Sequence, residues 1–204
     1  IGKKVFSEVI LVGEQLKDMR IIRGKFKNKK LFFPENIKTR PLKDRVRENI
    51  FNILEHSSEI NIKLKNSFVL DMYAGTGSFG LECLSRGAKK IEFIENDTEA
   101  LKNLRKNIES LKINNQTKIL PIDIKAFFKK SEFNKKFDII FVDPPYVVED
   151  LSVIELIKKK NILNKIHIII IHREKNSNNN FLSNFKILKN KVYGRSEIFF
   201  LKLS

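Results

Sequence analysis

With one cysteine, Cys83, in 204 residues, the chain has no intramolecular disulfide and no cysteine metal cluster. Its three histidines, His56, His167 and His172, lack ligand-like spacing, and no metal site is expected. No apolar run approaches the length needed to cross a bilayer. The nearest approach to a targeting segment is Lys3-Lys4 ahead of Val5 to Val12. Ser7 and Glu8 break it, and no small-residue cleavage site comes after it. The chain therefore reads as a cytoplasmic protein. Acid is also scarce: 24 acidic residues against 40 basic ones leave a formal net charge of +16 and a pI near 9.8. That excess points to a polyanionic partner, most simply nucleic acid. A lysine-rich composition set by the genome would account for part of it.

Residues 1–18 carry no motif and form an extension of no assigned role; Met19-Arg20 is the more natural start of the patterned chain. Met19 to Pro34 reads as a basic hairpin, with Arg20 to Arg23 and Lys30 to Phe33 flanking a turn rich in Gly, Lys and Asn. Arg20, Arg23, Lys25, Lys27, Lys29 and Lys30 alternate with Phe26, Phe32 and Phe33. That mixture suits phosphate tracking and base stacking, and it equally suits a solvated hairpin whose rings face the core. Thr39-Arg40-Pro41 opens a helix, with Pro41 near its first turn. Val46, Ile50, Ile53 and Leu54 share one face of it. Arg45 and Arg47 fall off that face, available for phosphates or a carboxylate. Ser57 to Asn66 is a polar connector, which places a boundary between residues 19–66 and a main domain at 67–204.

The main domain alternates strand and helix. Strands are expected at Ser67–Asp71, Lys90–Glu95, Thr117–Pro121, Asp138–Val142 and Ile166–His172. Helices are expected at Ser78–Arg86, Thr98–Leu111, Ala126–Lys130 and Asp150–Lys160, the second capped by Asp97 or Thr98. Phe185–Tyr193 and Glu197–Leu203 close the chain as a hairpin about Gly194-Arg195. Repeated βα units of this kind give an α/β fold: a mostly parallel sheet with helices on both faces.

Two motifs carry chemistry. Asp71-Met72-Tyr73-Ala74-Gly75-Thr76-Gly77-Ser78-Phe79-Gly80 sits at a strand-to-helix junction with G-x-G-x-x-G spacing, and Glu95 stands at the end of the next strand. The pattern alone also fits a dinucleotide. Asp71, however, would repel a pyrophosphate and attract an amine. Glu95 is placed for a ribose diol and Asp123, after the third strand, for an adenine amine; a plain helix cap is the alternative for each. One amine, one diol and one adenine together describe S-adenosylmethionine. The second motif is Asp143-Pro144-Pro145-Tyr146. Two prolines end a strand and leave carbonyl oxygens with no local donor. A carboxylate and a ring beside that rigid turn present acceptors to an exocyclic amine and a flat face to its base. A strand terminator with incidental neighbours is the plainer alternative.

These stretches resemble the bacterial 16S ribosomal RNA guanine-N2 methyltransferases that act at position 966. The matching segments are Met19 to Gly24, Arg40-Pro41 with Asp44 to Glu48, Asp71 to Ala88, Ile94 to Asp97 and Val142 to Tyr146. The resemblance runs from Met19 to the C-terminus. It implies a Rossmann-like class I methyltransferase with a seven-stranded sheet, an N-terminal hairpin and helix, and S-adenosylmethionine as cofactor. It implies cofactor binding by Asp71, Gly75, Gly77, Glu95 and Asp123, with Ala74 and Asn96 beside them. Asp143, Pro144, Pro145 and Tyr146 would hold the target amine. Arg20, Arg23, Lys25, Lys27, Arg40, Arg45 and Arg47 would grip 16S rRNA, within a small-subunit particle, in a monomeric enzyme. Leu42 departs from the family's usual threonine. The amine motif is shared with DNA adenine methylases, a rival here without a visible DNA-reading domain. A nicotinamide-dependent oxidoreductase would need a catalytic His or Lys motif, and a non-catalytic assembly factor would have no use for an intact Asp143 to Tyr146.

Overall fold

The computed structural model describes residues 19–34, 42, 44–129, 133, 135–145, 153–179, 182–183 and 185–203. Seven strands form one sheet: β1 (Phe68–Met72), β2 (Lys90–Ile94), β3 (Thr117–Leu120), β4 (Phe137–Val142), β5 (Leu163–Glu174), β6 (Phe185–Tyr193) and β7 (Ser196–Leu203). Their order is β3-β2-β1-β4-β5-β7-β6. The first five run parallel, and β7 joins β5 antiparallel and carries β6 at the edge. Continuous apolar runs such as Ile168 to Ile171, buried throughout, suit strands covered on both faces. The helices are α1 (Asp44–His56), α2 (Ser78–Ser85), α3 (Thr98–Leu111), α4 (Ile124–Phe128) and α5 (Val153–Lys159). Two apolar clusters, one on each face of the sheet, form the core.

Element order agrees with the sequence pattern, with local differences. The Asp97 carboxylate caps α3 by accepting from Ala100 N–H. α4 begins at Ile124, two residues before the expected Ala126, because Asp123 caps it through Lys125 and Ala126 N–H. β5 starts at Leu163, and its pairing with β4 shifts register between Phe137 and Ile139. The helix expected from Asp150 is described from Val153 onwards. Thr39, Arg40, Pro41 and Tyr146 lie outside the described residues.

The connector at Ser57 to Asn66 does not divide the core. Met19, Ile21 and Leu31 of the hairpin and Val46, Ile50, Phe51 and Leu54 of α1 join the same cluster as α2, α3 and β1. An aromatic column links these layers. Phe51 of α1 stacks on Phe79 of α2 at 5.2 Å, and Phe79 stacks on Phe141 of β4 at 3.9 Å. Such pairs add about 0.5–1.5 kcal/mol each beyond the area they bury.

Candidate active site

The strand order reverses between β1 and β4, so the loops after those strands diverge and open a crevice at the carboxyl edge. Register fixes what lines it. Leu120, Ile94, Met72, Val142 and Ile171 form one row across β3, β2, β1, β4 and β5. One residue further along the last four strands come Glu95, Tyr73, Asp143 and His172.

The β1–α2 loop is tightly wound. Tyr73 and Gly75 have φ of 60° and 55°. A tyrosine in the left-handed region costs about 1–2 kcal/mol. Ala74 N–H to Ile94 O (3.0 Å) and Gly77 N–H to Ala74 O (2.8 Å) hold it there. A Cβ on Gly75 would meet nothing within 4 Å, so the loop faces open space at that point. A Cβ on Gly77 would come within 2.5 Å of Leu104, so that glycine lets α2 pack against α3.

The Glu95 carboxylate ties two loops together. Oε2 accepts from Gly75 N–H at 2.6 Å, and Oε1 accepts from Asn96 and Asp97 N–H at 2.8 Å each. Oε2 retains room for one further donor, and Oε1 is filled. Asn96 is exposed and Ala74 buried. Asp71 lies beneath the loop, 1% exposed, with Oδ2 accepting from Gly80 N–H at 2.9 Å. Burial pushes its carboxyl well above the usual carboxylate range. The Gly80 N–H opposes this, and the charges of Asp143 and Glu95 reinforce it. A strand-end position suggests an Asp71 carboxylate open to the site; it is instead covered by the loop it shapes. Asp123 is exposed and uses Oδ1 as the cap of α4; among the described residues Oδ2 has no hydrogen bond.

Asp143 stands at the end of β4, its N–H donating to Met72 O at 3.3 Å. Its Oδ1 accepts from His172 Nδ1–H at 2.6 Å. Pro144 is buried and Pro145 exposed. The edge thus gathers three carboxylates, Asp71, Glu95 and Asp143, whose mutual repulsion a cation would relieve. Among the described residues no group of His, Cys, Asp and Glu forms a metal cluster.

The basic hairpin is hung on α2 by its backbone. Glu82, fully buried, accepts from Ile22 N–H at 2.7 Å and Arg23 N–H at 3.0 Å. Ser85 Oγ donates to Arg23 O and accepts from Phe26 N–H at 3.0 Å. The contact is close: a Cβ on Gly24, at φ 85°, would stand 1.9 Å from Ser85 O. With the backbone occupied, Arg20, Lys25 and Lys27 extend into solvent, and Arg23 is half exposed near Glu55. Arg45 is exposed as well. Arg47 is not: fully buried, it donates to Arg20 O at 2.5 Å and to Asp44 at 2.9 Å. It fixes the hairpin to α1 and is closed to solvent. Arg40 lies outside the described residues.

Sequence reasoning misses His172, Glu82 and Asn107. Asn107 of α3 brackets Phe32, accepting from its N–H at 2.6 Å and donating to its carbonyl at 3.1 Å, and also donates to Thr76 O at 3.0 Å. Long-range backbone partners such as these leave no spacing signal. His172 does leave one, since it stands just past the last β4–β5 pair, as Asp143 does on the neighbouring strand.

A parallel sheet reversing at β1–β4, with acids on successive strand ends and an Asp-Pro-Pro turn, defines a class I methyltransferase, whose methyl donor is S-adenosylmethionine. Residues 19–202 match the family described as Conserved hypothetical protein 95, and the chain belongs to that family. It is similar to an uncharacterized methylase of Rickettsia prowazekii (31% identical; 91% of this chain, 98% of that one). It is also similar to the Ribosomal RNA small subunit methyltransferase D of Haemophilus influenzae (34%; 87% and 90%). Among solved structures, an Escherichia coli protein named as a methyltransferase superposes with a TM-score of 0.77 at 29% identity, covering 91% of this chain and 97% of that one.

Proposed function

We propose that this chain methylates the exocyclic N2 amine of a guanine of the position-966 type in 16S ribosomal RNA, with S-adenosylmethionine as donor. The observation that carries the reading is the carboxyl edge itself: an open cradle at Gly75 beside Glu95, next to an Asp143-Pro144-Pro145 turn. The name of the Haemophilus influenzae relative supports the ribosomal target.

The donor set fits the cofactor. Ala74, Gly75, Gly77 and Asn96 shape the cradle. Glu95 would take a hydroxyl of the ribose diol on the remaining site of Oε2, and Asp123 would take the adenine amine. Asp71 lies beneath, and a cation above the loop would draw its buried carboxyl toward the charged form. Bound there, the cofactor supplies an electrophilic methyl group on a sulfonium and departs as a neutral thioether. No strong base is then needed before attack, and catalysis rests on position and electrostatics.

Asp143 and the Pro144 carbonyl accept the two amine hydrogens, which turns the nitrogen lone pair out of conjugation with the ring. Asp143 takes the proton released after transfer. Guanine N2 cannot reach this edge while stacked in a helix, so the base is unstacked at a cost of a few kcal/mol. Stacking on Tyr146 and Pro145 offsets about 1–3 kcal/mol of that. Arg20, Arg23, Lys25, Lys27, Arg40 and Arg45 hold the RNA backbone. The enzyme acts as a cytoplasmic monomer on a small-subunit particle. Among the described residues no helix is long and apolar enough to cross a membrane.

Mapping modified nucleosides in ribosomal RNA from a strain lacking the gene tests this. Loss of one N2-methylguanosine from small-subunit RNA is expected. Unchanged ribosomal RNA with loss of N6-methyladenine from DNA would replace the reading with the DNA methylase.

A further inference from the structure

We propose that His172 is a positioning residue for methyl transfer: its Nδ1–H holds the Asp143 carboxylate in the one orientation that presents Oδ2 to the target amine. The inference rests on the role given to Asp143 above. The strands themselves create the pair. β4 and β5 run parallel, their last partners at this edge are Val142 and Ile171, and the next residue on each is Asp143 and His172. The 2.6 Å between Nδ1 and Asp143 Oδ1 is the short distance of a charge-assisted hydrogen bond.

Burial makes the pair asymmetric. The His172 side chain is 6% exposed and that of Asp143 23%. The imidazole is the anchor in the core, and the carboxylate is the end that reaches the crevice. Oδ1 is occupied by the ring, and among the described residues Oδ2 accepts no hydrogen bond. Without an anchor this carboxylate has good reason to turn away. Asp143 lies near enough to the buried Asp71 for its charge to raise that carboxyl. An aspartate beside another acid gains by rotating toward solvent, away from the position the amine needs. A donor fixed on the neighbouring strand opposes that rotation, and a carboxylate held within a narrow angular range is what oriented proton acceptance demands. A buried histidine that merely satisfied its ring would be served by any acceptor; this one gives its Nδ1–H to the residue that opens the Asp-Pro-Pro turn.

Two variants separate positioning from packing. His172→Ala removes the donor, and His172→Asn returns an amide N–H to nearly the place of Nδ1. The readouts are kcat and KM for methyl transfer to small-subunit particles, S-adenosylhomocysteine affinity by calorimetry, and the His172 ring N–H resonance in the free protein. His172→Ala is expected to lower kcat by about 10²-fold, with KM and S-adenosylhomocysteine affinity unchanged, and His172→Asn to recover most of the loss. The ring resonance should lie downfield in the wild type and move upfield in Asp143→Ala, which keeps the proposal testable if His172→Ala does not fold. Wild-type kcat in His172→Ala, a folded His172→Asn no better than alanine, or a resonance indifferent to Asp143→Ala overturns it. A wild-type chain that transfers no methyl to these particles overturns the functional reading and the positioning role with it, whereas an active wild type with an active alanine variant overturns His172 alone.

Discussion

The hairpin at residues 19–34 and the carboxyl edge of the sheet handle charge in opposite ways. The hairpin commits its backbone to the protein, through Glu82 and Ser85, and sends its basic side chains outward. The edge commits its acidic side chains to backbone amides, Glu95 to three of them and Asp71 to Gly80, and so holds negative charge still against a loop. On the proposed reading, the first surface meets a long, flexible polyanion, where position is tolerant and charge count matters, and the second meets one small cation and one amine, where position is decisive. A net charge of +16 therefore says little about the proposed chemistry, which falls at an edge lined with acids.

The sharpest way to break the first half of this contrast is Glu82→Ala. It leaves Arg86, 3% exposed and held to Glu82 at 2.7 Å, without its inner partner, and frees two hairpin amides. Removing one member of a buried pair costs about 3–5 kcal/mol. Urea denaturation should show that loss, and a drop below about 1 kcal/mol, the range of an exposed pair, would mean that the hairpin hangs from something else.

Next comes Asp143→Ala, which should reduce methyl transfer by about 10²–10³-fold, the usual cost of one preorganised group at the reacting centre. S-adenosylhomocysteine affinity should stay at its wild-type value by calorimetry. If affinity and rate fall together, Asp143 belongs to the cofactor instead.

Asp71→Asn tests the covered acid. Its folded pKa is raised above the ordinary value of 3.8. The folded state therefore binds the proton more tightly than the unfolded one. The stability this confers is complete below that ordinary value and is lost as pH rises toward the raised one. Asparagine keeps an acceptor for Gly80 and removes the titration. The variant should lose less stability than wild type as pH rises above that ordinary value in urea melts, while its S-adenosylhomocysteine affinity falls because no carboxylate then lies beneath the loop. Parallel stability curves for the two proteins would remove Asp71 from the electrostatic account.

The smallest effect, and the most diffuse, belongs to the hairpin cations. Replacing Arg23, Lys25 and Lys27 by Ala should lower the slope of log affinity for RNA against log salt by roughly one per lost phosphate contact. Cofactor affinity should be untouched. An unaltered slope would place the RNA elsewhere.

Features that rest on local chemistry are legible in the sequence. Two prolines stop β4 at Val142, Asp97 caps α3, and alternating β-branched and amphipathic runs give a parallel sheet. Features set by elements distant in sequence are not. Arg47 reads as solvent-facing because its place on α1 lies off the apolar stripe, yet the hairpin lies across that side and buries it. Asp71 reads as accessible because it ends β1, yet the loop it shapes folds over it. Phe51 enters the core through a stack on Phe79 that no helical period announces. His172 lacks a second metal ligand at any useful spacing, and its role depends instead on which residue of β4 it faces.

The claim that this acidic edge methylates a guanine amine is tested most directly by one incubation. Purified protein, labelled S-adenosylmethionine and small-subunit particles from a strain lacking the activity are mixed, and the labelled nucleoside is identified by mass spectrometry. The account predicts N2-methylguanosine from 16S RNA, formed about 10²–10³-fold more slowly with Asp143→Ala. Label in adenine of DNA, or in N2-methylguanosine formed equally by the Asp143→Ala protein, would contradict it.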